Sequence, residues 1–211
     1  MLGHWQLGRA RQKEALYEAF ERGGGPAVDL PPAPVDARYQ HVRLKGRYVV
    51  DRQILLDNMS HDGVAGYRVL TPLEMDDGRW VLVDRGWIAP GERRAVLPTV
   101  PVAPMTRVVI GRLDEFPVPG LRLVAPTESG WPRRMSFPTQ EAVSRLLGRS
   151  IYPRIVLLDA EATDGYVRDW HPGGIPPSRH YGYSVQWFAL AATLLVLYAL
   201  SQCRKQEINP R

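Results

Sequence analysis

The chain has 211 residues and a net charge of +5. That length suits one domain of ordinary size with short appendages, and 19 Gly with 19 Pro stay below a low-complexity composition. A single cysteine, Cys203, excludes a disulfide framework, a CxxC redox site, a zinc finger and an iron–sulfur cluster built within the chain.

In chain order, residues Leu2 to Arg22 read as a helix. Ala10, Ala15, Leu16, Ala19 and Phe20 carry its apolar positions, and Gly23-Gly24-Gly25-Pro26 stops it. Residues 26–37 hold four prolines and read as an extended linker. Strands follow. Tyr39 to Val50 places Val42, Leu44, Tyr48 and Val50 on one parity, with Gly46 as a bulge or bend. Gln53 to Asp57 is a short second run, and Ser60-His61-Asp62-Gly63 is turn material. Tyr67 to Met75 and Arg79 to Arg85 flank Asp76-Asp77-Gly78, a hairpin signal. Trp80 to Val83 is continuously apolar, as in a strand buried on both faces. Pro90 to Pro104 reads as loop, Thr106 to Leu113 as a strand, and residues 115–135 as irregular. Gln140 to Leu147 is a short helix capped by Thr139 and ended by Gly148, and Ile151 to Asp159 is a last strand. The body is thus a mainly β (α+β) domain. An antiparallel sheet fits it, closed as a small barrel or folded as a sandwich.

From Val185 to Leu200 the sequence VQWFALAATLLVLYAL carries no charge. With Tyr183 and Ser184 it makes a helix of about 27 Å, near the lower limit for crossing a bilayer. Tyr181, Tyr183 and Trp187 at one end and Tyr198 near the other match an aromatic belt. Arg204, Lys205 and Arg211 after the span, against one Glu207, put the tail in the cytoplasm and the β-rich part outside. The other arginines, among them Arg85, Arg93, Arg94, Arg107 and Arg112, are scattered over several elements. They form no basic stripe of the kind that binds nucleic acid.

No GxSxG, HExxH, P-loop or GxGxxG motif stands in a strand-to-helix context, so an outward-facing hydrolase lacks a catalytic constellation and no enzyme is expected. Ser60-His61-Asp62 juxtaposes three catalytic residue types, but neighbours on a turn point apart. His41 reads as a surface or interstrand residue, and His171 as part of a Pro/Gly loop. His180 stands at the mouth of the apolar helix, with Tyr183, Ser184 and Trp187 at +3, +4 and +7. A neutral imidazole there suits an axial haem ligand, with Arg179 near enough for a propionate. An interfacial histidine anchoring at head-group level is the other reading.

Five segments carry a family resemblance. Leu2-Gly3-His4-Trp5-Gln6-Leu7-Gly8-Arg9 resembles the Leu-Gly-x-Trp-Gln-x-x-Arg signature of the Surfeit locus (Surf-one) family of cytochrome c oxidase assembly factors. Arg43-Leu44-Lys45-Gly46-Arg47-Tyr48 is similar to its first strand, and Gly63 to Leu73 to its Gly-x-x-Gly-Tyr-x-Val-x-Thr-Pro segment. Val81 to Ile88 resembles its Val-Leu-Val-x-Arg-Gly-Trp run, and His180 to Phe188 its His-x-x-Tyr-x-x-Gln-Trp ending.

The resemblance implies an assembly factor of a bacterial or mitochondrial inner membrane, with two membrane helices around an outward-facing β-rich domain. It implies delivery or retention of haem a for oxidase subunit I, with His180 as the iron ligand. Tyr183 and Trp187 would wall the porphyrin and Arg179 would meet a propionate. Haem a synthase is a further candidate partner, beside the lipid bilayer; nucleic acid is not one. His4 would complete a bis-histidine site if it faced His180, and Arg85 either packs or meets a propionate. The family's first membrane helix ends at about the signature that here begins at Leu2, so either a span lies upstream of Met1, which is the expectation, or the chain has a single anchor.

The expected organisation is an N-terminal helix 1–22, a linker 23–37, a periplasmic β-rich domain 38–178, a membrane helix 181–201 and a cytoplasmic tail 202–211. The expected function is haem a chaperoning in the inner membrane of a bacterium. The alternative is a cofactor-free scaffold that holds subunit I.

Overall fold

The computed structural model describes residues 1–32, 38–91, 96–117, 130–136 and 138–208. Part of the proline-rich linker, Arg93, Arg94, Arg211, and the side chains of Cys203, Lys205 and Glu207 lie outside the described residues. The elements are α1 (Leu2–Arg22), β1 (Val28–Asp29), β2 (His41–Tyr48), β3 (Ile54–His61), β4 (Val64–Met75), β5 (Trp80–Ile88), β6 (Thr106–Asp114), β7 (Arg133–Met135), α2 (Gln140–Leu147), β8 (Ile151–Leu158) and α3 (Pro177–Ile208). They fall into two compact units. One holds Met1–Ala19 with His171–Arg211; the other holds Phe20–Trp170.

The larger unit is an eight-stranded sheet in the order β1-β2-β6-β8-β5-β4-β3-β7. An added pairing of β2 with β4 makes β2, β6, β8, β5 and β4 a closed circuit of hydrogen-bonded neighbours. The long β4 makes this possible. Along one edge its first half pairs with β3 and its last residues, Leu73 to Met75, pair with β2. The expectation of an antiparallel sheet is corrected: the sheet is mixed. β1–β2, β3–β7 and β5–β8 are parallel among the described strands. The chain leaves β5, passes through β6 and α2, and re-enters as β8 in its original direction, so a central parallel pair results.

Period-two burial explains the apolar strands. In β5, Val81 and Val83 join one core cluster, with Val42, Leu44, Leu73 and Val109, while Leu82 points to another. β8 divides the same way: Val156 and Leu158 against Ile155 and Leu157. The continuous run from Trp80 to Val83 is therefore a strand with apolar neighbours on both faces. The second cluster is covered by α2, whose Val143 is fully buried and whose Leu146 and Leu147 pack beside it. Thr139 caps α2 by accepting from the Ala142 N–H at 3.2 Å, and Gly148 closes it in the left-handed conformation at φ 66°.

Three local expectations change. Gly46 is neither bulge nor bend; it pairs in register with Met75 on one side and Arg107 on the other. A side chain there would stand 2.2 Å from the Glu74 carbonyl oxygen, so close strand approach selects glycine. The turn at 60–63 contracts to Asp62-Gly63, both at positive φ, as a two-residue hairpin loop requires. Ser60 and His61 belong to β3, and the His61 ring lies 5.2 Å from that of Trp87. Finally, the linker contains β1 and the irregular stretch contains β7, two strands of two and three residues.

Buried polar groups lock this unit internally. The Arg85 side chain, nearly inaccessible, donates to the carbonyls of Asp164 and Pro101 and to the Gln53 side chain. Its guanidinium lies over the rings of Tyr48 and Tyr166. Arg107 pairs with the Asp164 carboxylate at 2.6 Å. Arg112 donates to the Phe20 carbonyl and stacks on that ring at 4.2 Å. Arg85 is thus committed to packing and internal bonds, and these arginines fasten the segments at Pro101 and Asp164 and the last turn of α1 to the sheet. His41 is held from both sides, by the Gly25 carbonyl at 2.8 Å and the Asp159 carboxylate at 2.6 Å.

Candidate functional site

The smaller unit pairs α1 with α3. Residues 177–202 of α3 are long and apolar enough to cross a membrane by length and composition. From Val185 to Leu200 every residue is exposed, an apolar surface that water would not tolerate on a soluble helix.

Near its N-terminal end α3 meets α1 through side chains. The first two contacts run antiparallel, Gly3 with Ser184 and Gln6 with His180, and two more hold α1 to Tyr181 and to the segment before α3. Ser184 donates to the Gly3 carbonyl at 2.9 Å. His180 Nδ1 and Gln6 Oε1 are 2.7 Å apart. Tyr181 donates to the Glu14 carboxylate at 2.9 Å, and Lys13 to the Gly173 carbonyl at 2.6 Å. On α1 these partners fall at 3, 6, 13 and 14, with the buried Ala10 between them, so they share one helical face. Gly3 permits the approach; a side chain there would sit 2.8 Å from the Phe188 ring.

The four residues expected to form the site take different positions. His180 is 8% exposed and buried with Ser184. Tyr183 and Trp187 are each 42% exposed, and Arg179 is exposed as well. Trp187 lines an apolar hollow of about 480 Å³ together with Met1, Leu2, Gly3, His4, Phe188 and Ala191. His4 stands edge-on to Phe188, ring centres 5.2 Å apart. Phe188 lies eight residues beyond His180, about 12 Å along the helix, so the two imidazoles do not face each other. The bis-histidine arrangement is therefore not formed; the α1 residue that meets His180 is Gln6, at Nδ1.

The residue sequence reading missed is Gln6. Its signal was present in the spacing Gly3, Gln6, Ala10, which puts two small residues either side of one polar group on a single face.

Chemically, the arrangement offers one imidazole whose Nδ1 lies 2.7 Å from Gln6 Oε1; in the tautomer that donates to this oxygen the lone pair is on Nε2. That is the donor form a haem iron takes, and the hydrogen bond to the far nitrogen is the usual way a ligating histidine is oriented. The donor chemistry of His180 thus fits an iron porphyrin, with apolar surface at hand for its hydrophobic parts. Among the described residues no cluster of three or more His, Cys, Asp or Glu could hold a bare metal ion.

Comparison with known proteins decides the family. The SURF1 family model matches residues 1–192. The chain belongs to the SURF1 family. A SURF1-like protein of Rickettsia bellii is 24% identical over 209 residues, covering 95% of this chain and 84% of the relative. One from Monosiga brevicollis is 26% identical over 229 residues, covering 93% and 80%. One from Dictyostelium discoideum is 39% identical over 101 residues, covering 42% and 37%. The SURF1 match takes in both α1 and the first half of α3, so Gln6 and His180 lie inside the family's common segment.

Proposed function

We propose that this protein is an assembly factor for haem–copper cytochrome c oxidase in a bacterial inner membrane. It binds haem a as cargo and hands it to subunit I. In this reading α3 anchors the chain, the β-rich unit faces the periplasm and the C-terminus lies in the cytoplasm. The observation that carries the proposal is His180, a histidine at the mouth of an apolar helix with Nδ1 already engaged. His180 Nε2 supplies the iron ligand. Tyr183 and Trp187 offer exposed aromatic surface beside it, and the exposed Arg179 would meet a carboxylate. Because His180 is 8% exposed, cargo reaches Nε2 only as its cover shifts, which makes uptake and release depend on movement at this end of the helix pair.

The test is absorbance of the full-length protein purified in detergent from cells that make haem a. Wild type is expected to carry a haem band and His180→Ala to lose it with helical content unchanged. An unaltered spectrum in His180→Ala overturns the ligand assignment.

The same burial supports a second reading, a cofactor-free scaffold in which His180 serves only to join two helices. It expects capture of subunit I by this protein in cells unable to make haem a, with the His180→Ala variant losing capture. Haem a synthase is a further candidate partner under the first reading only.

A further inference from the structure

We propose that Gln6 is a positioning residue for His180, selecting the tautomer that leaves Nε2 basic; its relevance to cargo rests on the reading of His180 as haem ligand. A neutral imidazole carries its single hydrogen on either nitrogen, and only the bare nitrogen can bind iron. Gln6 presents its carbonyl oxygen, 2.7 Å from Nδ1. With that oxygen as acceptor, Nδ1 carries the hydrogen and Nε2 the lone pair. The opposite amide orientation would place an N–H donor against Nδ1, drive the hydrogen to Nε2 and abolish ligation.

The neighbours hold Gln6 in place. One turn before it the Gly3 carbonyl accepts from Ser184, and one turn after it Ala10 is fully buried. α1 therefore cannot slide along α3 by a residue without breaking the Ser184 bond. Ser184 lies one turn beyond His180 on α3, so the same two helical turns that fix the backbones also fix the imidazole. Gln6 itself is half-buried, which shields its bond to the ring from competition by water.

Ring ¹⁵N chemical shifts of His180 in the haem-free, detergent-solubilised full chain read the tautomer directly. The expected result is a protonated Nδ1 and an unprotonated Nε2. Gln6→Met, similar in length but without a strong acceptor, should give mixed tautomers; Gln6→Glu, which keeps an oxygen acceptor, should restore the wild-type pattern. Titration with haemin as probe should show about 10–100-fold weaker binding for Gln6→Met and near-normal binding for Gln6→Glu. A protonated Nε2 in wild type, or ¹⁵N shifts unmoved by Gln6→Met, overturns the proposal. If His180→Ala binds haemin as tightly as wild type while Gln6→Met still changes the tautomer, the ligand reading fails and the positioning role stands.

Discussion

Arg85 and Asp164, 79 residues apart, are joined through the backbone: Nε and Nη2 of the arginine both donate to the Asp164 carbonyl, at 2.8 and 2.6 Å. The Asp164 carboxylate is left to Arg107. One loop residue therefore engages two strands, β5 through its main chain and β6 through its side chain.

Arg85→Lys keeps the charge but loses the planar fork that reaches two carbonyls and Gln53 together. A loss of about 3 kcal/mol is expected, since buried polar groups on three partners lose their donor. Thermal unfolding of the detergent-solubilised full chain measures it. An unchanged midpoint would show that these bonds contribute nothing net.

Asp84 is fully buried and pairs with Arg68 at 2.5 Å, while the arginine, 20% exposed, also lies over Trp170. Burial pushes the Asp84 carboxyl up, against the opposing pull of Arg68 and the Gly86 N–H. Removing Arg68 leaves a carboxylate with no cation in the interior; removing the charge of Asp84 leaves a cation that is partly exposed and still lies over Trp170. Arg68→Ala should therefore cost about 3–5 kcal/mol, and Asp84→Asn less. Chemical denaturation of the two variants side by side tests the order, and the reverse order would refute it.

The Asp77 carboxylate is held below its ordinary range chiefly by the hydrogen bond from Arg79, whose other nitrogens donate to the Leu30 and Pro31 carbonyls. A lowered carboxylate contributes stability above its unfolded value, and that contribution is lost as pH falls through the lowered one. Acid should thus loosen the β4–β5 hairpin from the segment after β1. Asp77→Asn should flatten the acid limb of the stability curve; a curve of unchanged slope would remove Asp77 as its source.

Gly3→Leu places a side chain where the Phe188 ring now lies, 2.8 Å from the first added carbon. Overpacking of this kind costs about 1–3 kcal/mol. Spin labels at Gly8 on α1 and Ser178 on α3, both exposed, should report a larger and broader separation in Gly3→Leu. The double variant with Phe188→Ala should recover the wild-type distance; failure to recover would assign the effect elsewhere.

Elements whose stability is local were legible in the sequence. The bounds of α1 and α2 follow from glycine stops and a threonine cap, and the β4–β5 hairpin from Asp77-Gly78. What required distant partners was not. β1 and β7 are too short to show a pattern and exist because β2 and β3 offer edges to them. Gly46 looked irregular because its reason, the Glu74 carbonyl, lies in another strand. At the candidate site His180 stood out by its place before an apolar run. Gln6, 174 residues earlier, carries no mark of its partner beyond the small residues around it.

The position of β8 between β5 and β6 has a consequence for biogenesis. Both neighbours leave the ribosome well before residues 151–158 do, yet neither can complete its hydrogen bonding until that strand arrives. At roughly 5–20 residues per second, the nascent chain waits seconds with two apolar edges open. The sheet therefore closes only after residues 151–158 have been made, and the unit folds late in synthesis or after it.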